Sequence, residues 1–199
     1  MIVIVVLAAG ASSRMQGRDK LMEDVDGVAL LRRQVLRALG TGCEVLVTLP
    51  AGPHPRYDTI KDLNVTVVPV PDAAEGMNAS LRAGILAVPD AATGVMVMLA
   101  DMPDITEGDM ITILNEVNFK SDVKIWRAVT KAGDPGHPII FHKDLLPQLS
   151  ALSGDQGGSA VVRENRDKTQ FIPLPADHAR TDLDTPEAWA DWRARRDIT

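Results

Sequence analysis

Residues 2–20 read Ile2-Val3-Ile4-Val5-Val6-Leu7-Ala8-Ala9-Gly10, then Ala11-Ser12-Ser13-Arg14-Met15-Gln16-Gly17-Arg18-Asp19-Lys20. The first run is apolar without alternation, the pattern of a strand buried on both faces of a sheet. It opens into a loop of small residues carrying cations at Arg14 and Lys20. Small side chains let backbone N–H groups approach an anion, and the two cations neutralise what the amides cannot. A doubly buried strand leading into a phosphate-type loop points to an α/β sheet with its ligand at the strand's carboxyl end.

The rest of the chain supports that architecture. Ile2–Leu7, Glu44–Leu49, Val65–Val70 and Gly94–Leu99 read as strands, with Val123–Val129, a short Pro138–Phe141 and Gln170–Leu174 after them. Helical spacing covers Leu30–Leu39, Met77–Val88, Gly108–Val117 and Lys143–Leu152, and more weakly Tyr57–Leu63. Thr185 is placed to cap a last helix, with Pro186 at its first position. Strands alternating with helices imply right-handed crossovers and a Rossmann-like α/β/α arrangement of three layers, its sheet mostly parallel but mixed. The loop after strand one, Pro71-Asp72 after strand three and Asp101-Met102-Pro103-Asp104 after strand four then fall at one edge. There is no internal repeat, low-complexity tract or linker, so residues 1–199 are expected to form a single domain.

Composition narrows the function. A net charge of -6 argues against a nucleic-acid groove or an anionic membrane as partner. No apolar run approaches the ~20 residues of a membrane span, and the N-terminal run lacks a basic leader, so the expected location is the cytoplasm. Cys43, the single cysteine, excludes an internal disulfide and a CxxC metal cage, and it reads as a small buried hydrophobe. His54, His142 and His178 show no metal-ligand spacing and are expected at the surface.

Asp101 ends the apolar run Met96-Val97-Met98-Leu99-Ala100, where a carboxylate suits Mg²⁺ bound through water and substrate phosphates. Asp104 or Thr106 fits the competing role of capping the helix near Glu107 better than Asp101 does. The first loop is neither G-x-G-x-x-G nor G-x-x-x-x-G-K-[ST], so dinucleotide and Walker-type sites are not indicated.

With these residues in place, the chain resembles the MobA-like nucleotidyltransferases. The resemblance rests on Leu7-Ala8-Ala9-Gly10, Ser12-x-Arg14-Met15, Lys20 and Leu99-Ala100-Asp101-Met102-Pro103. It extends through Gly76-Met77-Asn78-Ala79-Ser80-Leu81, Gly136-His137-Pro138, Gly154-Asp155-Gln156-Gly157 and Asp182-Leu183-Asp184-Thr185-Pro186. The later strings are similar to the branch that transfers CMP to molybdopterin. The resemblance implies a fold of the nucleotide-diphospho-sugar transferase type. It also implies that Leu7, Ala8, Ala9 and Gly10 contact base and ribose, with Asp72 and Ser80 in the same nucleotide site. Arg14 and Lys20 would face the triphosphate, and Asp101 would hold Mg²⁺ with Asp182 as second ligand, although Asp184 competes for that role. His137 and Asp155 would contact the acceptor, each with a structural alternative: a turn before the strand for His137, a helix cap for Asp155.

The implied reaction moves NMP, from CTP on this pattern, to a phosphorylated acceptor of molybdopterin type, with a molybdoenzyme as recipient of the product. Ala8-Ala9-Gly10 matches the cytidylyl pattern, and the Ala9 methyl would narrow the base pocket towards a pyrimidine. The spacing from Arg14 to Lys20 is one residue longer than in that branch and resembles the guanylyl loop, with Gln16 in place of its first glycine. Two further readings stand beside this one. One keeps the chemistry with GTP or a sugar-phosphate acceptor; the other is a non-catalytic module that binds the nucleotide or cofactor for delivery.

Overall fold

The computed structural model describes residues 1–152 and 158–196. Its strands in chain order are β1 (Ile2–Leu7), β2 (Asp24–Val25), β3 (Val28–Ala29), β4 (Glu44–Pro50), β5 (Thr66–Val70), β6 (Gly94–Leu99), β7 (Ile125–Val129), β8 (Pro135–His142) and β9 (Thr169–Pro173). The α-helices are α1 (Leu30–Gly40), α2 (Pro55–Ile60), α3 (Met77–Leu86), α4 (Glu107–Asn115), α5 (Leu146–Ser150), α6 (Ser159–Glu164) and α7 (Pro186–Arg196). Seven strands form one sheet in the order β5-β4-β1-β6-β8-β7-β9, and β2 pairs with β3 in a small hairpin. Only β8 runs against its neighbours, so the large sheet is mostly parallel and mixed, as the sequence indicates.

The unbroken apolar runs have a direct use. Successive side chains of a strand point to opposite faces. Ile4 and Val6 therefore join the layer holding α1, α4 and α7, while Val3, Val5 and Leu7 join the layer holding α3, α5 and α6. Trp189 and Trp192 are buried in the first layer in an edge-to-face pair, and Trp192 Nε1 donates to Asp104 at 2.8 Å. Asp104 is thus spent on a tryptophan. Thr106 caps α4 and forms a capping box with Asp109.

Several elements differ from the sequence reading for identifiable reasons. Helix α2 begins at Pro55, earlier than the periodicity suggests, because the His54 side chain accepts from the Arg56 N–H and Pro55 opens the turn. The helix expected over Lys143–Leu152 is a 3-10 turn (Lys143–Leu145) followed by the short α5, because Pro147 has no N–H to extend one continuous helix. Strand β8 is longer than Pro138–Phe141 and forms a hairpin with β7 through a turn in which Gly133 has φ 97°. Of the three histidines expected at the surface, only His142 is buried; His54 and His178 are half-buried, and all three make structural contacts. His142 is buried and accepts from the Asp144 N–H, His54 caps α2, and His178 lies 2.9 Å from Asp109.

Gly136 shows how tightly β8 is covered. A Cβ there would lie 1.8 Å from the Ala179 carbonyl oxygen, because His137 N–H donates to that same oxygen at 2.9 Å. Gly136→Ala must push backbone aside, and it is expected to lower the unfolding free energy by about 1–3 kcal/mol. A urea titration measures this; an unchanged midpoint would refute the close approach.

Candidate active site

Strand β1 ends at Leu7, and its backbone continues the sheet hydrogen bonding for one more residue: Ala8 N–H donates to Thr48 O at 3.1 Å. Beyond that point the chain must turn without strand partners, and a buried arginine supplies them. Arg56, 1% exposed, donates to Ala8 O at 2.6 Å, to Asp19 at 2.6 and 2.7 Å, and to Ser12 Oγ at 3.2 Å. One guanidinium so ties both ends of the loop and its middle. Partial burial raises the Asp19 pKa, but Arg56 and the Leu21 N–H more than offset it, leaving the carboxyl below its ordinary value. Within the loop, Ser12 (φ 52°), Gln16 (φ 53°) and Gly17 (φ 85°) take left-handed conformations. Gln16 adopts the geometry that glycine reaches more cheaply.

This clamp delivers Lys20 to the carboxyl edge of the sheet. Lys20 Nζ lies 2.5 Å from Asp101 Oδ2, at the end of β6, and 2.5 Å from Asp184 Oδ1, before α7. The segment carrying Asp182 and Asp184 reaches Asp101 because the buried Leu183 N–H donates to the Asp101 carbonyl at 3.1 Å. Arg14, largely exposed, pairs with Asp184 from the solvent side. Asp101 is steadied from behind: Gln34 donates to the Met102 carbonyl, and Arg37 to the Pro103 and Ile105 carbonyls at 2.8 and 2.6 Å.

The charges do not balance. Burial pulls the Lys20 pKa down, but Asp101 and Asp184 more than compensate and hold it above the ordinary lysine value. Asp184 is raised by burial, yet Lys20 and Arg14 bring it below the usual carboxylate value. Asp182 is raised, by partial burial and then by the repulsion of Asp184 and Asp101. Among the described residues three carboxylates thus face two cations, and the buried Asp101 Oδ1 has no hydrogen-bond partner. An orphaned carboxylate oxygen beside excess negative charge fits a divalent cation. Among the described residues no group of three or more His, Cys, Asp or Glu forms a complete metal cage. The fit is therefore to a cation held by one or two carboxylates and completed by phosphates and water.

Leu7, Ala8, Ala9, Gly10, Lys20, Ser80 and Asp101 line one cavity of about 330 Å³. Ala9 is buried there with Val70 and Ala79, so its methyl belongs to the cavity floor. Arg14 and Asp72 are not in the lining. Asp72 is exposed ahead of the 3-10 turn Ala73–Glu75, and Ala73 and Ala74 take the place at the wall. His137 lines a second cavity of about 300 Å³, which shares Leu7, Gly76 and Met77 with the first. Asp155 lies outside the described residues. Sequence reasoning missed Arg56, Gln34 and Arg37, all of which act through backbone carbonyls or a neighbouring side chain, a use that leaves no local motif.

Residues 4–169 match the family described as MobA-like NTP transferase domain. The chain is 28% identical over 197 residues to the molybdenum cofactor cytidylyltransferase of Escherichia coli (strain K12), covering 94% of this chain and 88% of that one. Its fold is similar to the crystal structure of Rv0371c from Mycobacterium tuberculosis H37Rv, with TM-score 0.78 and 26% identity over 98% of this chain and 97% of that chain. A manganese complex of Rv0371c superposes with TM-score 0.77 at 24% identity, covering 96% of each chain. Among the described residues, no helix is long and apolar enough to cross a membrane.

Removing the clamp tests its role. Arg56→Met leaves Asp19 without its cation and is expected to cost about 3–5 kcal/mol of stability. The wild-type advantage from Asp19 is present above the unfolded carboxylate pKa, near 3.8, and is lost as pH falls through the lower folded value. Denaturant titrations at several pH values should therefore show the two proteins converging in acid; a constant gap down to strongly acidic pH would exclude the Asp19 linkage.

Proposed function

The chain belongs to the MobA-like NTP transferase family and is a nucleotidyltransferase, and we propose that it transfers CMP from CTP to a phosphorylated acceptor of molybdopterin type. The observation that carries this reading is Lys20 held between Asp101 and Asp184 at the mouth of a cavity floored by the Leu7–Gly10 segment. The name of the Escherichia coli relative supports the acceptor and the base. Ala9 in the cavity floor supports a compact pyrimidine.

A phosphate oxygen of the acceptor attacks the α-phosphorus, the bond to the bridging oxygen breaks, and pyrophosphate leaves. The nucleophile is already anionic, so no general base is required. Catalysis is positioning and charge neutralisation. Lys20 places its ammonium where negative charge gathers on the phosphates, and the loop fixed by Arg56 offers its backbone N–H groups to the same oxygens. Arg14, on the solvent side of Asp184, adds positive charge at the entrance. Asp101, with Asp182 or Asp184, would hold a divalent cation, magnesium in this reading, that neutralises phosphate charge when bound. The manganese complex of Rv0371c supports a site for such an ion.

One observation favours a second base. Gln16 and Gly17 both take left-handed backbone, the geometry suited to the longer loop of guanylyl type, so GTP is the alternative donor. A thermal-shift panel of CTP, GTP, UTP and ATP with Mg²⁺ separates the two. A nucleotide at a hundred times its Kd stabilises by ~2.7 kcal/mol, and CTP is expected to give the largest shift. Lys20→Ala and Asp101→Asn should each lower pyrophosphate release with CTP and molybdopterin by ~10²–10³-fold. Rates near wild type in both variants would remove the assignment.

A further inference from the structure

We propose that Lys20 is an internal counter-ion: its ammonium holds the carboxylates of Asp101 and Asp184 against a divalent cation until nucleotide phosphates draw it away, so that cation and nucleotide enter the site together. The inference rests on the transferase reading above and adds to it a coupling between two ligands and the residue that enforces it.

Lys20 Nζ stands 2.5 Å from Asp101 Oδ2 and 2.5 Å from Asp184 Oδ1. The three side chains are only 14%, 16% and 20% exposed, so little water screens the contact. A magnesium ion bonds carboxylate oxygens at ~2.0–2.1 Å. One bonded to these two oxygens would stand against the ammonium, so the pair of carboxylates accepts one cation or the other. Burial pulls the Lys20 pKa down, yet Asp101 and then Asp184 hold it above the ordinary lysine value. The ammonium therefore keeps its charge near neutral pH and remains a full competitor for the oxygens.

The surroundings of Lys20 fix its backbone and leave its side chain free to exchange. The Lys20 N–H donates to Ser12 Oγ at 3.3 Å, and Asp19 beside it is clamped by Arg56. The side chain is a flexible four-carbon stem ending in a point charge. Lys20 and Asp101 line the same cavity as Leu7 to Gly10, so phosphates bound there come within the sweep of that stem. The buried Asp101 Oδ1, without a partner among the described residues, offers an arriving cation one free oxygen before Lys20 moves. Arg14 differs on each count: it pairs with Asp184 from outside, is largely exposed and lies off the cavity wall.

A site whose competent form is populated only part of the time binds its ligand more weakly by that fraction. With the carboxylates free of Lys20 in ~10% of molecules or fewer, removing the lysine should tighten cation binding about tenfold or more. The test uses the full chain and Mn²⁺ alone, with free Mn²⁺ read by electron paramagnetic resonance. Lys20→Met is expected to bind Mn²⁺ about tenfold or more tightly than wild type. Arg14→Met, which removes the same charge from the solvent side of Asp184, should gain much less. In wild type, α,β-methylene CTP, which cannot release pyrophosphate, should tighten Mn²⁺ binding, and Mn²⁺ should tighten the analogue by the same factor. That factor should shrink in Lys20→Met.

Equal Mn²⁺ affinity in wild type and Lys20→Met would overturn the proposal, as would the absence of Mn²⁺ binding in both. A gain matched by Arg14→Met would reduce Lys20 to bulk charge, and an undiminished coupling in Lys20→Met would remove its part in the exchange; either result overturns the proposal. Thermal unfolding reports whether the variants fold, and Lys20→Gln replaces Lys20→Met if the latter does not. A gain in Mn²⁺ affinity with no thermal shift from CTP, GTP, UTP or ATP would uphold Lys20 as the counter-ion and count against the transferase reading. A normal shift with CTP and Mg²⁺ but no gain in Lys20→Met would do the reverse.

Discussion

The candidate site depends on one buried cation. Arg56 reaches from the first turn of α2 beneath the loop that follows β1, and it bonds the carbonyl at the loop's entry and the carboxylate at its exit. A loop with three residues in left-handed backbone conformations is costly to hold open by local preference alone. Desolvating a guanidinium is costly too, and the cost is offset because Asp19, Ser12 and Ala8 together give it a nearly complete set of acceptors. The loop can therefore be both open to a ligand and fixed in position. Lys20, one residue beyond Asp19, inherits that position.

Around Lys20 the fold assembles groups far apart in sequence. Asp101 comes from the end of a central strand, while Asp182 and Asp184 come from the segment before the last helix. Leu183 holds the two pieces in register by burying its side chain and bonding the Asp101 carbonyl. The uneven charge that results, with an Asp101 oxygen left unpartnered among the described residues, fits the site's proposed completion by a cation and phosphates. The second cavity holds Arg127, which forms no ion pair among the described residues.

Much of the fold was legible in the sequence because burial on both sheet faces leaves unbroken apolar runs, and β1, β4 and β6 stand where those runs are. The elements read less well were the ones governed by distant partners or single proline effects. The β7–β8 hairpin owes its length to a turn around Gly133 and to cover from Ala179, and α5 is shortened by Pro147. The site divided in the same way. Leu7 to Gly10, Lys20, Ser80 and Asp101 line one cavity, whereas Asp72 is exposed and Arg14 is drawn outward to Asp184. His142, His54 and His178 carry backbone or carboxylate bonds that no spacing rule would reveal.

The sequence by itself determined the layered α/β class, the strand edge at which polar loops gather, and the family, since these depend on apolar periodicity and on short motifs with local geometry. The tertiary structure alone decided which carboxylates surround Lys20, that Arg56 holds the loop, and that Arg127 and His137 share a cavity. Those outcomes depend on contacts between residues tens to more than a hundred positions apart. Such contacts are set by how the layers pack, and no local pattern in the chain encodes them.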